Sequence, residues 1–281
     1  MSEPEGRPRW LTVPGWMRRH TPFLGRILEQ LAAVNVLDCA TRLAAQAFLG
    51  ALPALFVIGS LAPDSLREQV VSSLRTTLGL QGAALDQVRS VYAATGDTVS
   101  VSGVGIAVTL LSATAWSRAM QMTCERSWHL PKAKARLAAW RWLAWLTVCL
   151  GVVLFQGTLQ DAFGAGLAGG FFLALAGNTL LWWWTQHLLL GARVPWLPLL
   201  PGALLVASGA QLLSWGSRIY MPHAVERSLQ QFGGLGSVFV LLSWLIVYFI
   251  VATAAIAIGY VVAREPLPTR WLRTPVSSPA R

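Results

Sequence analysis

Charged residues are scarce in this sequence: they make up 12% of the 281 residues, and six long windows contain none of them. The windows cover residues 43–63, 98–117, 142–160, 162–192, 194–217 and 228–263. A helix that crosses the hydrocarbon layer needs about 20 mostly apolar residues, because lipid offers no partner to a charge or an open backbone group. The missing charge argues against a soluble α/β enzyme. It predicts an all-α, polytopic integral membrane protein with six transmembrane helices.

Cysteine is also scarce, and catalytic motifs are missing. The three cysteines form no CxxC pair, and the four histidines lie in four separate segments, so neither a disulfide framework nor a zinc site is expected. The sequence has no glycine-rich phosphate loop, HExxH or GxSxG motif. Hydrolysis of a phosphodiester normally needs several metal-binding carboxylates or imidazoles. We therefore expect no catalytic residue, no metal and no cofactor.

The six predicted spans lie at about residues 43–63, 98–117, 142–160, 165–190, 197–217 and 234–262. They belong to a membrane domain over residues 36–263, and a hydrophobic fraction of 54% with a mean hydropathy of +0.53 agrees with this class. Residues 64–97 are predicted to form an extracytoplasmic amphipathic segment, and residues 264–281 a cytoplasmic tail. Residues 1–35 form a basic cytoplasmic arm. It ends in an amphipathic helix on the membrane surface, since Leu24, Leu28 and Leu31 recur at helical spacing.

The distribution of positively charged residues predicts the orientation of the chain in the membrane. With both termini in the cytoplasm, 16 of the 22 Lys and Arg residues lie inside and five outside, which follows the positive-inside rule. Many of the 14 tryptophans then form a belt near the cytoplasmic face. The net charge of +10 predicts attraction to anionic lipid at that face, and no nucleic-acid-binding fold is recognisable. In this arrangement Cys124 lies in a cytoplasmic loop and should react with an impermeant maleimide only in inside-out vesicles.

Polar residues inside spans are the candidates for function, because each is unfavourable there without a partner. Asp38, Arg42 and Gln46 recur at i, i+4 and i+8, so they share one face at the cytoplasmic end of the first span. Two interpretations stay open: an interfacial ion pair with Arg42 reaching the headgroups, or one wall of a polar pathway, which requires an inward-facing pair. Asn178 and His187 in the fourth span are further candidates, with interhelical hydrogen bonding as the structural alternative.

A series of proline, glycine and aromatic residues marks the last two spans. It comprises Pro201, Gly202, Tyr220, Phe232, Gly233, Leu235, Gly236, Trp244 and Gly259, and Pro53 in the first span belongs with it. In order and spacing these residues resemble the YihY/BrkB family of bacterial inner-membrane proteins, over roughly residues 25–265. The chain departs from the family at Glu125 and Val261, where an Asn and a Glu are usual. Independently of the family, the glycines of residues 232–236 predict a tight turn on the outer side.

The resemblance implies a six-helix protein of the bacterial inner membrane and no particular chemistry. A transporter or permease is the leading hypothesis, because intramembrane polar residues and broken helices are typical of a pathway. A structural or interaction protein of the envelope is the alternative. A ribonuclease, the activity once attached to the family's founding member, comes third because metal-binding residues are missing. The substrate, and whether the chain forms a homo-oligomer, are left open.

Overall fold

Six α-helices make up most of the described chain. The computed structural model describes residues 22–61, 103–132 and 167–265, together with six helical positions between residues 141 and 151. The helices are α1 (Pro22–Val34), α2 (Val36–Leu61), α3 (Gly103–Ser127), α4 (Leu167–Leu189), α5 (Trp196–Phe232) and α6 (Gly234–Ala263). No strand occurs in these residues. For the described part, the predicted all-α class is confirmed.

Among the described residues, two helical stretches are long and apolar enough to cross a membrane: α5 and Val238–Ala263 of α6. They coincide with the fifth and sixth predicted spans. Helices α2, α3 and α4 overlap the predicted spans at 43–63, 98–117 and 165–190. The span at 142–160 lies largely outside the described residues, and so do the segment 64–97, most of the N-terminal arm and nearly all of the tail. Six-span topology with cytoplasmic termini therefore stays a prediction.

Helix α3 continues well beyond its predicted span, which was expected to end near residue 117 and runs instead to Ser127. Met120 and Cys124 on this extension are buried in the core. The hydroxyls of Thr123 and Ser127 donate to carbonyls one turn earlier, at 3.0 and 2.9 Å, so they do not compete with the helix for backbone partners. The charge after residue 117 therefore marks a predicted membrane boundary and not the end of a helix.

Helices α5 and α6 form a long antiparallel hairpin. With 37 residues α5 is about 55 Å long, so it exceeds the hydrocarbon thickness of about 30 Å and continues beyond the predicted end near residue 217. The predicted turn is confirmed: Gly233 has φ +60°, a left-handed value that favours glycine. A Cβ at Gly236 would contact the carbonyl oxygen of Ser228. Only a residue without a side chain fits this approach.

The two helices of the hairpin also cross at close range near its other end, where Gly202 of α5 meets Gly259 of α6. A Cβ at Gly259 would contact the Cα of Gly202 and lie 2.6 Å from its backbone nitrogen. The two helix backbones therefore touch without intervening side chains, as small residues allow in membrane helix pairs. Helix α6 also contacts α1, α2 and α3, while α4 packs against α5 and α3. The core lies around α6.

Helix α1 lies in front of α2, where the sequence predicts an amphipathic helix, and its place on the membrane surface stays a prediction. It is separated from α2 by Asn35, whose φ of +55° breaks the helix at a residue type that tolerates this conformation. Val34 packs with Ala257 of α6 in the core, whereas Leu24 and Leu28 are exposed. The exposed apolar face is free to lie on a membrane surface.

Candidate functional site

A charge pair with a buried carboxylate joins helix α3 to the loop after α4; the Glu125 side chain is 5% exposed and that of Arg193 is 29% exposed. Glu125 is 4% exposed, and its Oε1 accepts hydrogen bonds from Arg193 Nη2 at 2.5 Å and from Gln121 Nε2 at 2.9 Å. Burial of a carboxylate is strongly unfavourable without a counter-charge and hydrogen bonds, and both are present here. We call Gln121, Glu125 and Arg193 the polar clamp.

Arg193 holds three segments together with a single guanidinium group. Besides Glu125, its Nε donates to the carbonyl of Leu190 at 2.8 Å, and its Nη1 donates to the carbonyl of Pro131 at 2.6 Å. The clamp therefore fixes the end of α3, the loop that follows it and the end of α4 to one another. A planar fork of donors suits this task, because one rigid group satisfies several acceptors.

A second polar group lies at the same end of the bundle. Gln30 Nε2 donates to the carbonyl of Ser127 at 2.8 Å, and its Oε1 lies 2.9 Å from His129 Nε2. The His129 ring meets the edge of Tyr260, and the Arg264 guanidinium lies 4.5 Å from the centroid of the Tyr260 ring. Burial, and then the positive charge of Arg264, lower the pKa of His129. These contacts tie α1, α3 and α6 together beside the clamp.

Inside the bundle, several buried polar atoms have no hydrogen-bond partner among the described residues. They are Gln46 Oε1, Trp116 Nε1, Gln186 Oε1 and Thr253 Oγ1, and we call these four residues the polar track. Trp128 Nε1 is a fifth such atom and lies beside Tyr260, outside the track. Each unsatisfied buried group costs about 1–3 kcal/mol, so four of them in one region need an explanation.

Three members of the track lie at one level. Gln46 is ten residues from the start of α2, Thr253 ten from the end of α6, and Trp116 eleven from the end of α3. At 1.5 Å per residue each of the three lies about 15 Å along its own helix from that end, and the Asp38–Arg126 contact places the start of α2 beside the end of α3. Helices α2, α3 and α6 contact one another, so the three positions belong to one part of the interior.

Aromatic rings connect this level with Gln186, which lies nearer the clamp. The Trp116 ring packs against Trp145 at 4.9 Å and against Phe249, one turn from Thr253, at 6.4 Å. Trp145 Nε1 in turn donates to the hydroxyl of Thr185 at 3.1 Å, beside Gln186. The track therefore forms a continuous packed region that reaches the clamp end of α4.

Gln186 occupies the groove that Gly202 leaves open on α5. The side chain is fully buried, and its Oε1 would lie 3.1 Å from a Cβ at Gly202. Its Nε2 donates to the Trp182 carbonyl of its own helix at 3.3 Å, so the acceptor oxygen remains directed into the bundle. The absence of a side chain at Gly202 thus permits two close approaches, one by Gly259 of α6 and one by the buried amide of Gln186.

The candidate pathway residues predicted from the sequence lie in different parts of the structure. Asp38 and Arg42 form an ion pair of 3.8 Å, but their side chains are 44% and 48% exposed, so they lie on the surface of the bundle and not inside it. Gln46, on the same helix, belongs to the track. Asn178 is half-buried in α4. The inward-facing pair that a polar pathway requires is therefore not formed, and Asp38 and Arg42 form an ion pair on the surface of the bundle.

His187 stabilises a turn. Its Nδ1 lies 3.1 Å from the carbonyl of Val194, and its ring stacks on Trp196 with 3.9 Å between the centroids. The neighbouring Trp183 Nε1 donates to the carbonyl of Trp196 at 2.6 Å. These contacts close the connection between α4 and α5, and they account for His187 without a role in a pathway.

The residues that carry the family resemblance are mostly structural in this chain. Gly202 and Gly259 form one close approach of the hairpin, Gly236 forms the other with the backbone of Ser228, and Gly233 has the positive φ of the turn. Tyr220 and Trp244 stack across it with 6.4 Å between ring centroids. The other four make no contact that bears on the site: Pro201 is half-buried, Phe232 is exposed at the end of α5, and Leu235 and Pro53 lie in helical segments whose side chains are not described.

Sequence reasoning missed the clamp and part of the track. Glu125 lies on helix α3 next to Cys124, for which the sequence predicts a cytoplasmic loop. The i, i+4 spacing of Gln121 and Glu125 is a usable signal for one helical face. Nothing local indicates Arg193, which lies 68 residues further along the chain. The fully buried Thr185 and Gln186 stand in an otherwise apolar window, which is the signal for the track.

The predicted labelling of Cys124 is not supported by its surroundings. The residue is fully buried, and burial followed by the nearby charge of Glu125 raises its pKa to about 12. Since the thiolate is the reactive form, the pKa alone lowers the reactive fraction about 1,000-fold. We expect Cys124 to stay unmodified by maleimide in intact cells and in inside-out vesicles alike, and to react once the protein is unfolded in detergent, as mass spectrometry would detect. Rapid modification of folded protein would contradict this placement.

Exposed positions give a better test of orientation. In a cysteine-free variant, Lys132→Cys lies in the loop after α3 and Gln231→Cys at the tip of the hairpin, and both residues are exposed. With cytoplasmic termini, the impermeant maleimide should label Lys132→Cys only in inside-out vesicles and Gln231→Cys only in intact cells. Labelling of both positions from the same side would rule out this topology.

Comparison with known proteins identifies a family for this chain. The family model described as Virulence factor BrkB matches residues 27–270. No curated protein and no solved structure matches the chain. Within the described residues, no group of three or more His, Cys, Asp or Glu side chains could hold a metal ion.

Proposed function

The chain belongs to the Virulence factor BrkB family of membrane proteins, and from this premise we propose that it is a permease for a small polar solute. It resides in the bacterial plasma membrane as a multi-pass protein with both termini in the cytoplasm. It acts without a cofactor and without catalysis. The bilayer is its main partner, with anionic lipid at the cytoplasmic face.

The observation that supports this proposal is the polar track. In a purely structural bundle, positions such as Gln186 and Thr253 are more stable as apolar residues, because each unpartnered atom costs about 1–3 kcal/mol. Water or a polar solute that enters the bundle would supply the missing hydrogen bonds. The track offers carbonyl acceptors from Gln46 and Gln186, an indole donor and a hydroxyl. None of these groups is charged, which matches an uncharged solute better than an ion.

The polar clamp closes the track at one end. Glu125 and Arg193 join the ends of α3 and α4, and Gln186 lies three residues before the end of α4. Breaking the clamp frees these two helix ends from each other while leaving the α5–α6 hairpin intact. We therefore assign the clamp the role of a cytoplasmic gate. In this proposal the arrangement with the clamp intact is the closed state.

Cysteine accessibility tests the proposal. In a cysteine-free background, Thr253→Cys should react slowly with a water-soluble methanethiosulfonate in inside-out vesicles. Adding Glu125→Gln and Arg193→Gln removes both charges of the clamp and should raise the reaction rate at least about tenfold, because water then reaches the track and permits ionisation of the thiol.

Val247→Cys is the matched control, because it lies on the same helix and is 41% exposed on the outside of the bundle. It faces lipid in the proposed arrangement and should stay unreactive in both backgrounds. If Thr253→Cys is as unreactive as Val247→Cys with the clamp intact and with it removed, the bundle is sealed. That result would favour the structural or interaction protein over the permease.

A further inference from the structure

Two arginines on the surface of the bundle share a single carboxylate. Arg126 Nη1 of α3 lies 3.5 Å from Asp38 Oδ2, and Arg42 Nη2 of α2 lies 3.8 Å from the same oxygen. All three side chains are between 40% and 48% exposed. One carboxylate cannot neutralise two guanidinium groups, so the cluster carries a net charge of +1. We call Asp38, Arg42 and Arg126 the basic triad.

Apolar side chains continue from the triad along the same two helices. Leu49 follows Arg42 by seven residues on α2 and is 64% exposed, while Leu111 of α3 is 70% exposed. Residues seven apart lie on one helix face. Helices α2 and α3 approach closely along this seam, because a Cβ at Gly50 would lie 3.5 Å from the Cβ of Ser112. The seam thus presents an apolar strip that leads to a positively charged end.

We propose that this seam binds an anionic phospholipid, with the phosphate between Arg42 and Arg126 and an acyl chain along Leu49 and Leu111. The arrangement matches the amphiphile in both charge and polarity: arginine donates to phosphate oxygens in a planar fork, and the leucines contact hydrocarbon. Asp38 holds the two guanidinium groups in place but competes with the phosphate for them. The site lies on the outside of the bundle and does not depend on the permease function.

A second exposed ion pair at the same end of the molecule differs from the basic triad in its net charge, and this difference supports the choice of the triad. Arg26 pairs one-to-one with Glu265 at 2.7 Å, and its side chain is 53% exposed. This pair is neutral, so it has no surplus charge for a phosphate. The basic triad and the Arg26–Glu265 pair are therefore similar in exposure, and they differ in net charge.

Native mass spectrometry of the purified full-length protein tests the proposal, with dioleoyl phosphatidylglycerol as the anionic probe and dioleoyl phosphatidylcholine as the neutral one. Wild type should retain phosphatidylglycerol in preference to phosphatidylcholine. Because one arginine near the surface contributes about fivefold in affinity, Arg42→Gln with Arg126→Gln should weaken phosphatidylglycerol binding about twentyfold. Arg26→Gln should leave it unchanged.

Asp38→Asn separates binding from a structural effect. If the carboxylate merely stabilised the fold, its loss would weaken binding or leave it unchanged. In the proposed site it removes a competitor, so phosphatidylglycerol should bind several-fold more tightly. Equal lipid binding by wild type and the double arginine variant, or weaker binding by Asp38→Asn, would overturn the proposal. Displacement of the lipid by millimolar inorganic phosphate would assign the triad to a soluble anion and would also overturn it.

Discussion

Replacing Gly259 by valine should abolish most of the stability of the membrane domain. A side chain at this position would collide with the backbone of Gly202, and backbone atoms of a packed helix cannot move aside as a flexible side chain can. Overpacking of a core typically costs 1–3 kcal/mol, and we expect at least about 3 kcal/mol here. In detergent, thermal unfolding followed by tryptophan fluorescence should show a Tm lower by about 10 °C.

Gly216→Val provides the matched control. Gly216 lies in α5, the other helix of the hairpin, and a Cβ there would meet nothing within 4 Å. This variant should unfold within about 2 °C of wild type. If Gly259→Val yields no folded protein, Gly259→Ala introduces only the colliding Cβ and should show a smaller loss of the same sign. Equal Tm values for Gly259→Ala and wild type would mean that the two helices do not cross closely at these glycines.

Removal of Arg193 should be nearly as damaging. Arg193→Ala leaves the Glu125 side chain, 5% exposed, without the guanidinium that carries its counter-charge. Breaking a buried pair by removing one partner costs about 3–5 kcal/mol, whereas exposed pairs are worth about 0–1 kcal/mol. Arg42→Ala in the exposed pair with Asp38 is therefore the control. The two variants should differ in Tm by several degrees.

The double variant Glu125→Gln with Arg193→Gln should recover much of the loss, because it leaves no unpaired charge in the protein interior. This recovery identifies charge burial as the cause and distinguishes it from a packing defect. If Arg193→Ala and Arg42→Ala lowered the Tm equally, the clamp would be no more buried than a surface ion pair.

Much of the fold could be predicted from the sequence because membrane helices leave a strong signal. Long charge-free windows located α4, α6 and the start of α5 closely, and the glycines at 233 and 236 indicated the turn of the hairpin. Helix ends were harder to predict. Charge reports where a chain is expected to leave the membrane, and α3 stays helical for ten more residues because its buried face continues to pack.

The candidate site was less predictable for a geometrical reason. Helical spacing shows that Asp38, Arg42 and Gln46 share a face, but not whether that face points inward or outward. The structure divides them, with Gln46 in the track and the ion pair at the surface. The Glu125–Arg193 pair joins residues far apart in sequence. In this chain Glu125, which replaces the Asn usual in the family, carries the clamp.

Solute flux tests the central claim most directly, namely that the clamp closes a polar track through the bundle. Proteoliposomes containing wild type, the Glu125→Gln, Arg193→Gln double variant or Arg42→Ala would be challenged with glycerol or urea, and their swelling followed by stopped-flow light scattering. We predict that the double variant swells at least about tenfold faster than wild type, while Arg42→Ala matches wild type, because the proposal assigns the gate to the clamp and not to the surface ion pair. Identical swelling of the double variant, wild type and protein-free liposomes would contradict the permease and leave a sealed bundle.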